Sequence, residues 1–162
     1  MLFWFYIIIG TIIIDQVSKI LVQNYIHLYS TVPIIPGFLN FRYITNDGIS
    51  FGWNPFQNSI LLFVLSVLAC GFILKVLFNS KGDTYLNQIS LCFIIGGAFG
   101  NLIDRFFTAF KLFNYTGVID FIDIGYYHIY RFYIFNFADS FITIGIILYI
   151  LSFIMPKASN VK

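Results

Sequence analysis

Four long apolar runs, broken rarely by charge, dominate the pattern of this chain. They cover about residues 2–26, 59–78, 85–107 and 135–155, and Pro156 ends the last. A bilayer core takes about 20 helical residues at roughly 1.5 Å each, so every run is long enough to cross. The runs are continuous and lack the alternation in twos of barrel strands, so four transmembrane helices are expected. Residues 2–14 look like the apolar part of a secretory leader. No Lys or Arg precedes them and no small-residue cleavage site follows, so a retained helix is expected.

Between the first two runs the pattern changes. Residues 32–35, 38–44 and 49–53 favour strands, and turn residues at Pro36-Gly37 and Asn46-Asp47-Gly48 divide them. This predicts a small curved sheet within about residues 30–57, lying at the membrane surface, where its aromatics are favoured. The fold class expected is a membrane all-α bundle of four transmembrane helices with a β-sheet cradle, forming one domain over residues 1–162. An even number of helices puts both ends of the chain and the 79–84 link on one side. That side carries Lys75, Lys81, Lys157 and Lys162; the other carries Arg42, Lys111 and Arg131, with Arg105 at a helix end. The balance leans only slightly towards cytoplasmic termini.

Composition narrows the function. Of the 162 residues, 59% are hydrophobic, 21% aromatic and only 10% charged, and the mean hydropathy is +0.87. A soluble domain carries about 25% charged residues, so a soluble enzyme is excluded, and disorder with it. A net charge of +2 without a basic block leaves no footprint for nucleic acid. Cys70 and Cys92 sit in apolar runs without CxxC spacing and read as packing residues, so no disulfide, metal or other cofactor is expected. HExxH, GxSxG, GxGxxG and Walker-type loops are missing, which removes most familiar hydrolase and nucleotide chemistry.

Ionisable groups are expensive in a bilayer, so each acid in this chain needs a reason to be there. All seven are Asp. Asp15 and Lys19 share one helix face and suit a structural ion pair. Gly96 and Gly100 form a small-residue face on which another helix can approach closely. Asn101, Asp104 and Arg105 lie one turn further on. The Asn-x-x-Asp spacing of Asn101 and Asp104 recurs in Asn136 and Asp139, and antiparallel neighbours bring both to the same membrane face. Asn136 also suits a helix N-cap. Asp120 is flanked by apolar residues, and Asp123, three residues on, suits a solvated loop charge. If Asp120 and Asp139 meet in a poorly solvated place, they share a proton, and one becomes a base for water while the other acts as an acid. That is peptide hydrolysis without Ser, Cys or metal. Asp104 or Asp15 could substitute in such a pair. A proton relay in a transporter uses similar acids, though no internal repeat supports one. A non-catalytic assembly subunit would use the glycine face and leave the acids dispensable.

Taken in order, five motifs resemble the lipoprotein signal peptidase (signal peptidase II) family over nearly the whole chain. They are Asp15-Gln16-x-x-Lys19, Asn46-x-Gly48-x-x-Phe51, Gly96-Gly97-Ala98-x-Gly100-Asn101-x-Ile103-Asp104-Arg105, Val118-Ile119-Asp120-Phe121 and Asn136-x-Ala138-Asp139-Ser140. The resemblance implies an aspartic endopeptidase of the bacterial cytoplasmic (inner) membrane that cuts a prolipoprotein before its diacylglyceryl-modified Cys. It implies Asp120 and Asp139 as the catalytic pair. It implies Asn46, Gly48, Asn101, Asp104, Arg105, Asn136 and Ala138 as substrate-binding or pair-supporting positions. Asp15, Lys19, Gly96 and Gly100 match structural ones. Termini in the cytoplasm, a sheet and active site near the outer face, contact with membrane lipid and a monomeric state complete the expectation. Phe137, where a smaller β-branched residue is usual, and the extra charge of Asp47 are this chain's departures.

Overall fold

A computed structural model describes residues 2–48, 58–80, 84–127 and 129–154 of the chain. The expected strand at 49–53, and Phe51 with it, lie outside these residues. Among them the apolar runs form α1 (Leu2–Tyr25), α2 (Ser59–Asn79), α3 (Tyr85–Ala109) and α4 (Phe137–Ile154). All four are long and apolar enough to cross a membrane. Polar residues set where two of them start. The Asn58 side chain accepts a hydrogen bond from the Leu61 N–H at 3.1 Å, and the Thr84 hydroxyl accepts one from Asn87 at 3.3 Å, satisfying N–H groups that have no partner within the helix.

Helix α3 is the hub on which α1, α2 and α4 all pack. More than half of its apolar window (56%) is buried against protein, whereas 11–22% of the other windows is, so those three leave most of their surface uncovered by protein. Close approach explains the glycines. Gly96 lies against Thr11 of α1, and a methyl group on Gly100 would stand 2.6 Å from an oxygen of Asp15. Gly97 takes the carbonyl of Ala138 on α4 in the same way. Two backbones therefore meet α3 on two sides of one turn.

The sheet is larger than the 30–57 segment alone provides. Its order is β1 (Thr31–Ile35), β2 (Leu39–Asn46), β3 (Val118–Tyr126), β4 (Tyr130–Arg131), antiparallel throughout. Two of these strands come from the second long connection. Residues 118–123 are buried on both faces, so their sequence shows no alternation that would announce a strand. Gly37 makes the β1–β2 turn with φ of +76°, the left-handed region, where the Tyr127 ring would stand 2.8 Å from a side chain's first carbon.

Val22 of α1 packs with Ile119, Phe121 and Ile122, which ties the sheet to one end of the bundle. A second cluster of Leu77, Leu91, Cys92 and Ile95 joins α2 to α3 at the other. Cys70 and Cys92 are both buried and unpaired.

Candidate active site

The polar residues of this apolar chain converge at the sheet end of the bundle. The second half of α1, the second half of α3, the first turn of α4, the end of β2 and the start of β3 all contribute. Why they meet is a matter of register. Asn46 pairs with Val118 and Ile44 with Asp120, so Asn46 and Asp120 are diagonal neighbours on one face of the sheet. Beyond β4 the chain returns and Phe135 bridges Ile122. That bridge sets the start of α4 beside Asp120.

Deepest lies a cluster around Lys19, whose side chain is 1% exposed. Its ammonium contacts Asp15 Oδ2 at 2.8 Å, Asp104 Oδ2 at 2.9 Å and Asn101 Oδ1 at 3.0 Å, one acceptor for each proton. The carboxylates have further donors. Asp15 Oδ1 accepts from the Ala138 N–H at 2.9 Å, and Asp104 accepts from the Ile119 N–H at 3.0 Å and from Gln16 Nε2 at 3.1 Å. One buried cation thus stitches α1, α3, α4 and β3 together.

Above this cluster stand two asparagines. Asn101 Nδ2 donates to Asp139 Oδ1 at 2.8 Å. Asn136 Nδ2 donates to Asp120 Oδ1 at 2.7 Å and to Asn101 Oδ1 at 3.0 Å. Asn136 also caps α4, since its Oδ1 accepts from the Asp139 N–H at 2.9 Å while Asp139 Oδ2 accepts from the Asn136 N–H at 3.2 Å. This reciprocal arrangement fixes the Asp139 side chain at the positive end of α4. The other Asp120 oxygen accepts from Asn46 Nδ2 at 3.2 Å, and Asn46 Oδ1 in turn accepts from the Gly48 N–H at 3.0 Å.

Asp120 and Asp139 both line one cavity of about 820 Å³. Asn46, Asn101, Arg105 and Ser66 give it a polar end, while Leu62, Leu65, Ala69, Ile142 and Ile144 form an apolar trough between α2 and α4. Arg105 donates to the Ser66 hydroxyl at 2.9 Å across the α2–α3 contact. Burial, and secondarily the neighbouring Asp139, pushes the Asp120 carboxyl from its ordinary 3.8 up to about 7. One acid ready to hold a proton at neutral pH, beside another held by two N–H donors, is equipment for acid–base catalysis on a bond lying in the trough.

The structure therefore brings together Asn46, Asn101, Arg105, Asp120 and Asp139 at the cavity, with Asn136 behind both acids. Asp15, Lys19, Asp104 and Ala138 form the layer beneath, and Gly96 and Gly100 lie at the α1 contact. Asp104 pairs with Lys19 across the α1–α3 contact. Asp123 is neither a solvated loop charge nor part of the site. It is buried in the sheet, where Asn40 donates to it at 3.2 Å and Arg131 pairs with it at 2.7 Å. Sequence reasoning quoted Gln16 within a motif but gave it no role; it donates to Gly100 O at 3.1 Å as well as to Asp104. A polar amide next to Asp15 in an apolar helix was the available signal. Ser66, the polar interruption in α2, was passed over as well.

Comparison with known proteins agrees in family and fold. The family model for signal peptidase (SPase) II matches residues 7–155. The lipoprotein signal peptidase of Fusobacterium nucleatum is 41% identical over 145 residues, covering 88% of this chain and 81% of that protein. That of Microcystis aeruginosa is 38% identical over 162 residues, covering 98% and 95%. A bacterial membrane enzyme solved by the in meso method at 2.3 Å resolution superposes with a TM-score of 0.76 at 28% identity, over 98% of this chain and 94% of that one.

Proposed function

The chain belongs to the signal peptidase II family, and from that premise we propose that Asp120 and Asp139 are the catalytic pair of this multi-pass membrane protein. The protein is a signal peptidase II, an aspartic protease that removes signal peptides from prolipoproteins. The cut falls before the diacylglyceryl-modified Cys. The single observation that carries the residue assignment is that both acids face one cavity, each oxygen pair supplied with N–H donors.

The chemistry follows from that arrangement. With its carboxyl raised to about 7, Asp120 holds the proton in the reactive form, and the attacking water is placed between it and Asp139. Asp139 takes a proton from that water as its oxygen attacks the scissile carbonyl carbon, and Asp120 gives its proton to the carbonyl oxygen. The tetrahedral intermediate then collapses. The C–N bond breaks, the leaving nitrogen takes the proton held on Asp139, and Asp120 recovers its own from the collapsing hydroxyl. Low polarity around the pair strengthens each of these charge interactions. Arg105 and Asn46 border the cavity where substrate backbone carbonyls would lie, and the apolar trough suits the acyl chains and the apolar signal segment.

A prolipoprotein signal segment lies in the bilayer with its cut site near the interface, so the protease works there too. The sheet end then faces outward, both termini are cytoplasmic, and residues 1–162 act as a single monomeric domain in contact with membrane lipid, without a cofactor. Cleavage of a synthetic diacylglyceryl-Cys prolipoprotein by the purified protein in detergent tests this. Wild type releases the signal peptide, whereas Asp120→Asn and Asp139→Asn each lose activity by about 100- to 10,000-fold while remaining folded. Near-normal cleavage by either variant would overturn the assignment.

A further inference from the structure

Asn101 holds an amide between a cation and an acid, and an amide works in only one direction there. Lys19 has three N–H donors and no acceptor, so whatever atom of Asn101 meets it at 3.0 Å must be the oxygen. The amide nitrogen is then obliged to point the other way, at Asp139 Oδ1, 2.8 Å off. Asn136 reinforces the same sense by giving its own N–H to Asn101 Oδ1. Without the ammonium, a rotated amide would present its oxygen to Asp139. Two acceptors would then face each other, and only a protonated Asp139 would suit that geometry.

We propose that Lys19 is a positioning residue for the acid pair, acting through Asn101: by holding Oδ1 it keeps an N–H donor on Asp139 and so keeps Asp139 the proton-accepting member. This rests on the Proposed function above and gives the buried cation a role beyond packing. The geometry has the necessary economy. All three protons of Lys19 are used, two by the carboxylates of Asp15 and Asp104 and the third by the amide that leads to the site. Among the described residues, the charged or titratable groups around the pair are Lys19 and Asp15 from α1, Asp104 and Arg105 from α3, Cys70 from α2, and Tyr133 ahead of α4. Among these, Lys19 is the one that donates to the amide bound to Asp139.

A mutant cycle in turnover tests the proposal. Lys19→Met alone strands two carboxylates, so it is combined with Asp104→Asn, which leaves the cluster's net charge as it was. The pair variant should retain its fold by circular dichroism, lose kcat on the order of 30- to 100-fold, and keep KM within about twofold. Adding Asn101→Ala to it should cost no more than about threefold further, because the same hydrogen bond has already been lost. A folded pair variant with normal kcat, or losses that multiply, would overturn the proposal. If the pair variant does not fold, the wild type decides. With 15N-labelled asparagine, the Asn101 side-chain amide signal, identified by its disappearance in Asn101→Asp, should shift in Asp139→Asn. An unmoved signal would mean that the nitrogen does not face Asp139 and would refute the idea. Failure of the wild type to cleave prolipoprotein would instead strike at the Proposed function, so the two failures are distinguishable.

Discussion

Replacing Asp120 with Asn should produce an inactive protein whose stability no longer falls as the pH rises to neutrality. In the folded chain this carboxyl is raised from 3.8 to about 7, first by burial and then by Asp139. The folded state therefore holds a proton that the unfolded state has released, and wild-type stability declines as pH rises through that window. Between pH 5 and 7 the decline attributable to this group is about 2–3 kcal/mol. An amide does not titrate, so the variant escapes the decline. It meets a local cost instead. Its oxygen can accept from Asn136 Nδ2, 2.7 Å away, but its nitrogen then faces the Asn46 nitrogen, 3.2 Å from the present oxygen. That lost hydrogen bond costs about 1 kcal/mol, equally at both pH values. The assay is unfolding in detergent followed by intrinsic fluorescence at pH 5, 6 and 7, for both proteins. The stability of Asp120→Asn relative to wild type should improve by about 2–3 kcal/mol across the series. Parallel curves would refute the reasoning, because they would mean that Asp120 is ionised throughout.

Three further outcomes follow from the packing and the mechanism. Gly100→Leu places a side chain where Asp15 stands 2.6 Å from the first added carbon, so it should destabilise the fold by at least about 1–3 kcal/mol, read as a lower melting temperature. Arg131→Ala removes the cation from buried Asp123 and should cost about 1–2 kcal/mol, since the Arg itself is 39% exposed; adding Asp123→Asn should recover most of that loss in the same melting assay. Excess chelator should leave the rate of prolipoprotein cleavage unchanged, because the proposed steps use only two carboxyls and water; a rate abolished by chelation and restored by a divalent ion would contradict them.

The helices were legible because lipid imposes a blunt requirement. Every backbone polar group must be satisfied within its own segment, so a crossing run is long, apolar and nearly free of charge, and the expected ends at 26, 78 and 107 lie within two residues of Tyr25, Asn79 and Ala109. The first hairpin was legible too, since Pro36-Gly37 marks a turn by local chemistry. The scarcity of charge pointed to Asp15, Asp104, Asp120 and Asp139 as residues needing a reason. What the chain did not reveal locally was their pairing. Strand β3 has no alternation because both its faces are buried, and its partner β2 lies more than 70 residues away, so nothing within its own stretch announces it. In sequence Asp15 already read as a partner of Lys19 and the family motifs pointed to Asp120 and Asp139, but residue chemistry alone left Asp104 and Asp15 able to substitute in the pair. The packed bundle separates them physically, because Gly96, Gly97 and Gly100 let α1 and α4 close on α3. That contact sets Lys19 between two of the acids and leaves the other two facing the cavity. Composition is enough to choose the solvent; which carboxyl keeps its proton depends on distances that exist only after folding.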